Sequence, residues 1–332
     1  MSGRWTMNKL LKLNHDSVKT DPCFYVLRFL RQAGSLPVKK KGKEMFKNPK
    51  RKLYALIFVL PTFAAFVIGF IYPFIRGIYL SFFQFQIVSK TKFVGINNYL
   101  KAFQDDSFLR SFWFTIGFVV VSLILINLIA FFVAYGLTIG IRGSNVFRTV
   151  FFMPNLVGGI ILGYIWHQIF DGILRNLDMP SLVTNSDMGF WGLVILMCWQ
   201  QAGYMMIIYI AGFQNVPSDL YEAAKIDGAN KGQLLTKVTL PMMMPSITIC
   251  SFLTLTNSFK LFDQNLALTG GAPLKDGIWT TRMMALNIYK TFYGEGRSAK
   301  GVGQAEGVIF FLIVVAISLL QLFLTRRKEV QA

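Results

Sequence analysis

Charged side chains are unevenly spaced along this chain, and the gaps between them set its architecture. Six stretches carry no Asp, Glu, Lys or Arg: 53–75, 111–141, 149–170, 188–218, 238–259 and 307–325. A helix crossing the hydrocarbon core of a bilayer needs about 20 apolar residues, which these stretches supply. None shows the strict two-residue alternation of a membrane barrel strand. Their apolar cores predict helices near 54–80, 112–137, 149–170, 189–213, 240–264 and 305–325. The second and fourth windows exceed what a bilayer needs, so their ends extend into interfacial turns. Pro61, Pro73, Pro154, Pro241 and Pro245 punctuate the spans. Proline removes a ladder hydrogen bond and kinks a helix, which membrane proteins tolerate where backbone lines a cavity or packs on protein.

Composition agrees with the pattern. Of 332 residues, 54% are apolar and only 15% charged, against roughly a quarter charged in soluble domains. The net charge of +18 would fit a nucleic-acid partner, but 14 of the 34 Lys and Arg residues lie in positions 1–52. The excess is topogenic, and no nucleic acid is expected. With the N-terminus in the cytoplasm, the segments on that side hold 22 basic residues and the outer segments 10, which places both termini inside. The chain divides into a basic segment 1–52, a six-helix membrane domain 53–325 containing a cytoplasmic loop 214–241, and a tail 326–332. The patch at 23–30 reads either as a short interfacial helix or as part of a loose basic tail; it is too short for a signal peptide. Cys23, Cys198 and Cys250 are scattered, and His15 and His167 stand alone, so neither a disulfide framework nor a metal site is expected.

The loop is the informative part. Pro217, Ser218 and Asp219 are helix-start signals. Asp219 and Glu222 are expected to place negative charge in the first turn, where the helix dipole favours it. Ala223 and Ala224 form a smooth surface, and Gly228 permits the left-handed conformation that ends a helix. A second helix is expected from near Asn230 into the fifth span. An ordinary amphipathic loop would satisfy the same physics.

The spacing goes further. Glu222-Ala223-Ala224, Gly228, Val238 and Leu240-Pro241 resemble the EAA loop of binding-protein-dependent ATP-binding-cassette (ABC) permeases, with Val in place of the commoner Ile. Lys225-Ile226-Asp227-Gly228-Ala229 is similar to the carbohydrate branch. Phe93-Val94-Gly95-Ile96-Asn97-Asn98-Tyr99, Phe151-Phe152-Met153-Pro154 and Leu268-Thr269-Gly270-Gly271-Ala272-Pro273 also resemble that family. The whole is similar to the larger membrane subunit of maltose transporters and to related sugar or glycerol-phosphate permeases. The resemblance implies an all-α polytopic membrane protein: six transmembrane helices and a cytoplasmic coupling helix, the ABC type I importer permease fold, in a bacterial cell membrane. It implies a second permease subunit, two ATPase subunits, an extracytoplasmic solute-binding protein and a sugar substrate, an oligosaccharide by family analogy. ATP and Mg would sit on the ATPase, because this chain has no GxxxxGK[ST] phosphate loop. It also assigns ATPase coupling to Glu222, Ala223, Ala224, Asp227, Gly228, Leu240 and Pro241.

Sugars are held by aromatic faces and by amides or carboxylates. The fourth span offers Trp199, Gln200, Gln201 and Tyr204; the fifth offers Asn257, Ser258, Lys260, Phe262, Asp263 and Gln264. Amides are costly against lipid, so these face either a cavity or another helix, and both readings stand. The resemblance places the translocation path here, above all at Tyr204, Asn257 and Ser258. The rival class is an ion-coupled secondary transporter, for which Lys260, Asp263 and Glu306 near span edges are the candidate relay.

Overall fold

The computed structural model describes residues 49–85, 91–294 and 299–327. The patch at 23–30 and the tail from 328 lie outside the described residues. The chain clusters into two units, Met1–Pro73 and Phe74–Ala332. In the first, α1 (Pro49–Phe66) leads into a π-helical turn, Val67–Ile71, and then into the start of α2 (Tyr72–Leu80). Phe58, Ile68 and Phe70 are exposed there, a surface suited to hydrocarbon rather than water.

The second unit continues with a hairpin of β1 (Phe83–Phe85) and β2 (Thr91–Phe93), then α3 (Asn97–Gln104) and α4 (Asp106–Thr138). Asp105 caps α4 by accepting from the Ser107 N–H at 2.9 Å. Next come α5 (Ser144–Phe152), a 3-10 turn Met153–Leu156, α6 (Gly159–Asn176) and α7 (Ser186–Gln214). The loop holds α8 (Ser218–Ile226), α9 (Lys231–Gln233), a π-helical turn Leu234–Thr239 and α10 (Leu240–Met242). Beyond it lie α11 (Met244–Phe259), α12 (Asp263–Leu268), a hairpin of β3 (Leu274–Lys275) and β4 (Ile278–Trp279), α13 (Met284–Phe292) and α14 (Ala299–Arg326).

Among the described residues four helical stretches are long and apolar enough to cross a membrane alone: Ile57–Leu80, Asp106–Thr138, Ser186–Gln214 and Ala299–Arg326. The other two expected spans are broken. The third was expected as one helix over 149–170; instead α5 and α6 meet at 102°. Pro154 cannot bond the carbonyl of Val150, and Gly158 is extended with ψ of 140°. The fifth was expected over 240–264; α11 instead bends 69° from the segment before it. Pro245 stands four residues after Pro241, so its ring opposes the Pro241 carbonyl across the break. The helix also stops at Phe259, and α12 is a separate element.

The main core lies where α4 runs along α7. Ala130 and Ala134 of α4 are fully buried with Leu193, Leu196, Met205 and Met206 of α7. Small residues four apart let two helices approach, which drives association where lipid is as apolar as the helices themselves. One polar hub crosses this core. The Tyr209 hydroxyl donates to Asn127 Oδ1 at 2.7 Å, and Asn127 Nδ2 donates to the Leu123 carbonyl at 2.8 Å and to Thr254 Oγ1 at 3.3 Å. The hub ties α4, α7 and α11. Cys198 and Cys250 are buried and free.

Candidate functional site

The loop at 214–241 is built from local signals. Val216 is buried and anchors the end of α7. Pro217 precedes α8, whose first turn carries Asp219. Glu222 falls one turn later than expected, because the helix begins at Ser218 rather than after it. Glu222, Ala223, Lys225 and Asp227 are exposed, Ala224 is half-buried, and Ile226 is 86% exposed. The helix ends in a Schellman turn: Gly228 takes φ of +79°, its N–H bonds the Lys225 carbonyl at 3.0 Å, and the Ala229 N–H bonds that of Ala224 at 2.9 Å.

Asn230 then restarts the helix through a capping box. Its Oδ1 accepts from the Gln233 N–H at 2.9 Å, and Gln233 Oε1 accepts from the Asn230 N–H at 2.9 Å. This Asn-x-x-Gln signal is present in the sequence. One strut joins α8 to the π-helical turn at Leu234–Thr239. Thr239 Oγ1 donates to the Leu234 carbonyl at 3.1 Å, which leaves the Tyr221 hydroxyl to donate to Thr239 Oγ1 at 3.0 Å. Leu240 and Pro241 are half-buried on α10, beyond that strut.

The polar residues of the fourth and fifth spans form two amide pairs. Gln264 Nε2 donates to Gln200 Oε1 at 2.7 Å, and Gln200 Nε2 donates to the Val157 carbonyl at 3.4 Å. Asn257 Nδ2 donates to Gln201 Oε1 at 3.4 Å. The pairs join α7 to α11, to α12 and to the break before α6. Ser258 is fully buried and its Oγ has no partner among the described residues. Tyr204 is half-buried, its ring 6.5 Å from that of Phe152. Each primary amide has two donors and an acceptor oxygen with two lone pairs, so the pairs retain capacity for hydroxyl groups.

Trp199, Phe262 and Asp263 stand apart. Trp199 is 47% exposed, and its ring meets Trp166 edge-on at 5.3 Å. Phe262 packs against Tyr289 at 5.2 Å. Asp263 is exposed at the start of α12, and among the described residues it forms no ion pair with Lys260. Glu306, read from the sequence as an edge residue, is fully buried and accepts from Asn287 Nδ2 at 3.4 Å.

Sequence reasoning missed what holds α12 in place. A Cβ on Gly159 would lie 2.8 Å from Asp263 Cβ, and one on Gly163 would lie 2.8 Å from Ala267 Cβ. This Gly-x-x-x-Gly face brings α6 directly onto α12. His167, expected to stand alone, bonds the Leu268 carbonyl through Nδ1 at 2.7 Å, with Nε2 3.4 Å from Asp171. A carbonyl only accepts, so Nδ1 carries the proton. The spacing of Gly159 and Gly163 was visible, but nothing local identified the surface it meets.

Comparison with known proteins adds to this geometry. The family described as "Binding-protein-dependent transport system inner membrane component" matches residues 126–330. The probable starch degradation products transport system permease protein AmyD of Thermoanaerobacterium thermosulfurigenes is 42% identical over 299 residues, covering 88% of this chain and 99% of AmyD. The multiple sugar-binding transport system permease protein MsmF of Streptococcus mutans is 29% identical, covering 84% of this chain and 97% of its own. The crystal structure of a bacterial ABC transporter involved in the import of the acidic polysaccharide alginate shares the fold. Its TM-score is 0.72 at 21% identity, over 86% of this chain and 99% of that one.

Proposed function

Because the chain belongs to the binding-protein-dependent transport system inner membrane components, we propose that it is the permease subunit of an ATP-driven sugar importer, with oligosaccharides as cargo. The observation that carries this reading is α8, an exposed short helix closed by a left-handed Gly228 and bearing Glu222-Ala223-Ala224 on its surface. A compact projecting helix fits a groove on a partner. The starch-product and multiple-sugar transport named for AmyD and MsmF supports the cargo class.

In this reading a second permease completes the path and a solute-binding protein delivers the sugar from outside. Two cytoplasmic ATPase subunits hold ATP and Mg and receive α8. ATP closes the ATPase pair, α8 moves with it, and the path turns outward; hydrolysis resets it. Coupling requires that ATP and loaded binding protein favour the same state. In this reading both termini lie in the cytoplasm, which the excess of basic residues on that side supports. Cysteines introduced at positions 97 and 330 of a cysteine-free chain are expected to label from outside intact cells at 97 only. The reverse pattern would invert the topology. An ion-coupled mechanism has less support, because Lys260 and Asp263 are separate and exposed while Glu306 is bonded to Asn287.

Uptake of labelled oligosaccharides by vesicles holding the complete complex tests the reading; no uptake with ATP and binding protein both present would sink it. In the same assay Asn257→Leu is expected to lower uptake on the order of tenfold while the complex still assembles. It removes an amide from the path and leaves Gln201 unpaired at depth. Disassembly instead of slowed uptake would make Asn257 a helix-to-helix fastener only.

A further inference from the structure

The ends of two helices outside the coupling segment and the amide pairs enclose a groove of about 340 Å³. One wall is the start of α11, with Pro245, Ile249, Phe252 and Leu253; the other is the end of α14, with Leu322 and Arg326. Behind it Gln321 Nε2 reaches the Thr248 carbonyl at 3.5 Å and holds the helices together. The lining is apolar except for Thr248, whose hydroxyl is already donated to the Met244 carbonyl at 2.9 Å, and Arg326 at the mouth. Among the described residues no Asp or Glu lines the groove and no carboxylate pairs with Arg326. The next residue behaves differently: the Arg327 guanidinium lies 4.0 Å from the centroid of the Phe323 ring, where cation–π attraction holds it on another face.

We propose that this groove binds an anionic phospholipid of the cytoplasmic leaflet, with an acyl chain along Ile249, Phe252, Leu253 and Leu322 and the phosphate at Arg326. The inference rests on the topology proposed above, which puts the end of α14 at the cytoplasmic surface. Charge complementarity commits it to this occupant. An apolar trough at membrane depth takes hydrocarbon, and the Arg326 guanidinium at its interfacial end, with no carboxylate partner among the described residues, selects a negative headgroup over a zwitterionic one. Basic pockets between membrane helices on the cytoplasmic side recognise lipid headgroups in this way. The positive end of the α11 dipole opens at the same mouth and favours the same charge.

The test uses the assembled transporter carrying Phe252→Trp, compared with the same complex lacking that change. Both are reconstituted in phosphatidylethanolamine vesicles containing brominated phosphatidylglycerol or, at equal mole fraction, brominated phosphatidylcholine. Bromine quenches indole on contact. The added fluorescence is expected to be quenched at roughly fivefold lower mole fraction of the anionic lipid. Arg326→Gln should remove that preference and Arg327→Gln should keep it. Should Phe252→Trp fail to assemble, Ile249→Trp reports from a more exposed position on the same wall. Equal quenching by both lipids would overturn the proposal, as would a preference that survives Arg326→Gln. No quenching at all would mean that a protein surface, such as the second permease, covers the groove, and would also overturn it. Sugar uptake by the unsubstituted vesicles is measured in parallel, so failure of the transport reading is seen independently of lipid preference.

Discussion

Gly228→Val should abolish ATP-driven uptake while leaving the protein folded and inserted. The φ of +79° at Gly228 lies in the region that a β-branched residue avoids, at a cost of about 1–3 kcal/mol. Global stabilities run to about 5–15 kcal/mol, so this cost alone does not unfold the chain. It is instead relieved locally. The Schellman turn opens, the Ala229–Ala224 and Gly228–Lys225 bonds are lost, and the exposed α8 swings away from the capping box at Asn230. Among the described residues nothing lies within 4 Å of a Cβ at this position, so the effect is conformational and not steric. That distinction gives the controls. Gly228→Asn should retain most uptake, because Asn tolerates the left-handed region, and Gly228→Ala should fall between. Glu222→Lys should weaken ATPase co-purification through charge while the turn stays intact. Normal uptake with both Gly228→Val and Glu222→Lys would reduce this segment to a connection.

Gly203→Ala should produce the largest loss of stability of any single methyl addition to α7. A Cβ there would overlap the Phe151 carbonyl and press on the Phe152 amide. Both are backbone atoms at the break between α5 and α6, so no side chain can rotate aside. α7 must lift off, which strains the Gln200–Val157 bond one turn away. A cost of about 3 kcal/mol or more results, and thermal unfolding of the purified complex should drop by roughly 10 °C. Gly117 and Gly136 lie within α4 with no described atom within 4 Å of an added Cβ, so alanine at either should be neutral or slightly stabilising. If Gly203→Ala unfolds at the same temperature as Gly136→Ala, the close crossing is wrong.

These two glycines also mark what the sequence could and could not convey. Gly228 was readable because its signals are local: a helix start, an alanine pair, a left-handed glycine and an Asn-x-x-Gln cap within 17 residues. The number of spans was readable from charge-free length alone. Pro154 announced a kink, but the 102° bend depends on Gly203, 49 positions on, leaving room for it. The stop at Phe259 has no proline or glycine to announce it. It arises because α12 turns aside to meet Gly159 and Gly163 of α6, about 100 residues earlier. The amides at 200, 201, 257 and 264 were legible as groups that cannot face lipid, whereas their pairing depends on helix rotation. A rotation of one residue, about 100°, also explains Trp199, which turns out to Trp166 while Gln200 turns in.

The paired amides bear on how cargo leaves. If Gln200 and Gln264, and Asn257 and Gln201, line the route, they are already bonded to one another when it is empty. An arriving sugar hydroxyl then exchanges one hydrogen bond for another, and the net gain is small. The empty and loaded routes are nearly level in energy, so no deep well traps the solute. On that proposal residence is brief, and selectivity falls to the solute-binding protein proposed above. A conduit must hold its passenger well enough to admit it and loosely enough to let it go, and side chains that satisfy each other between passages provide that balance.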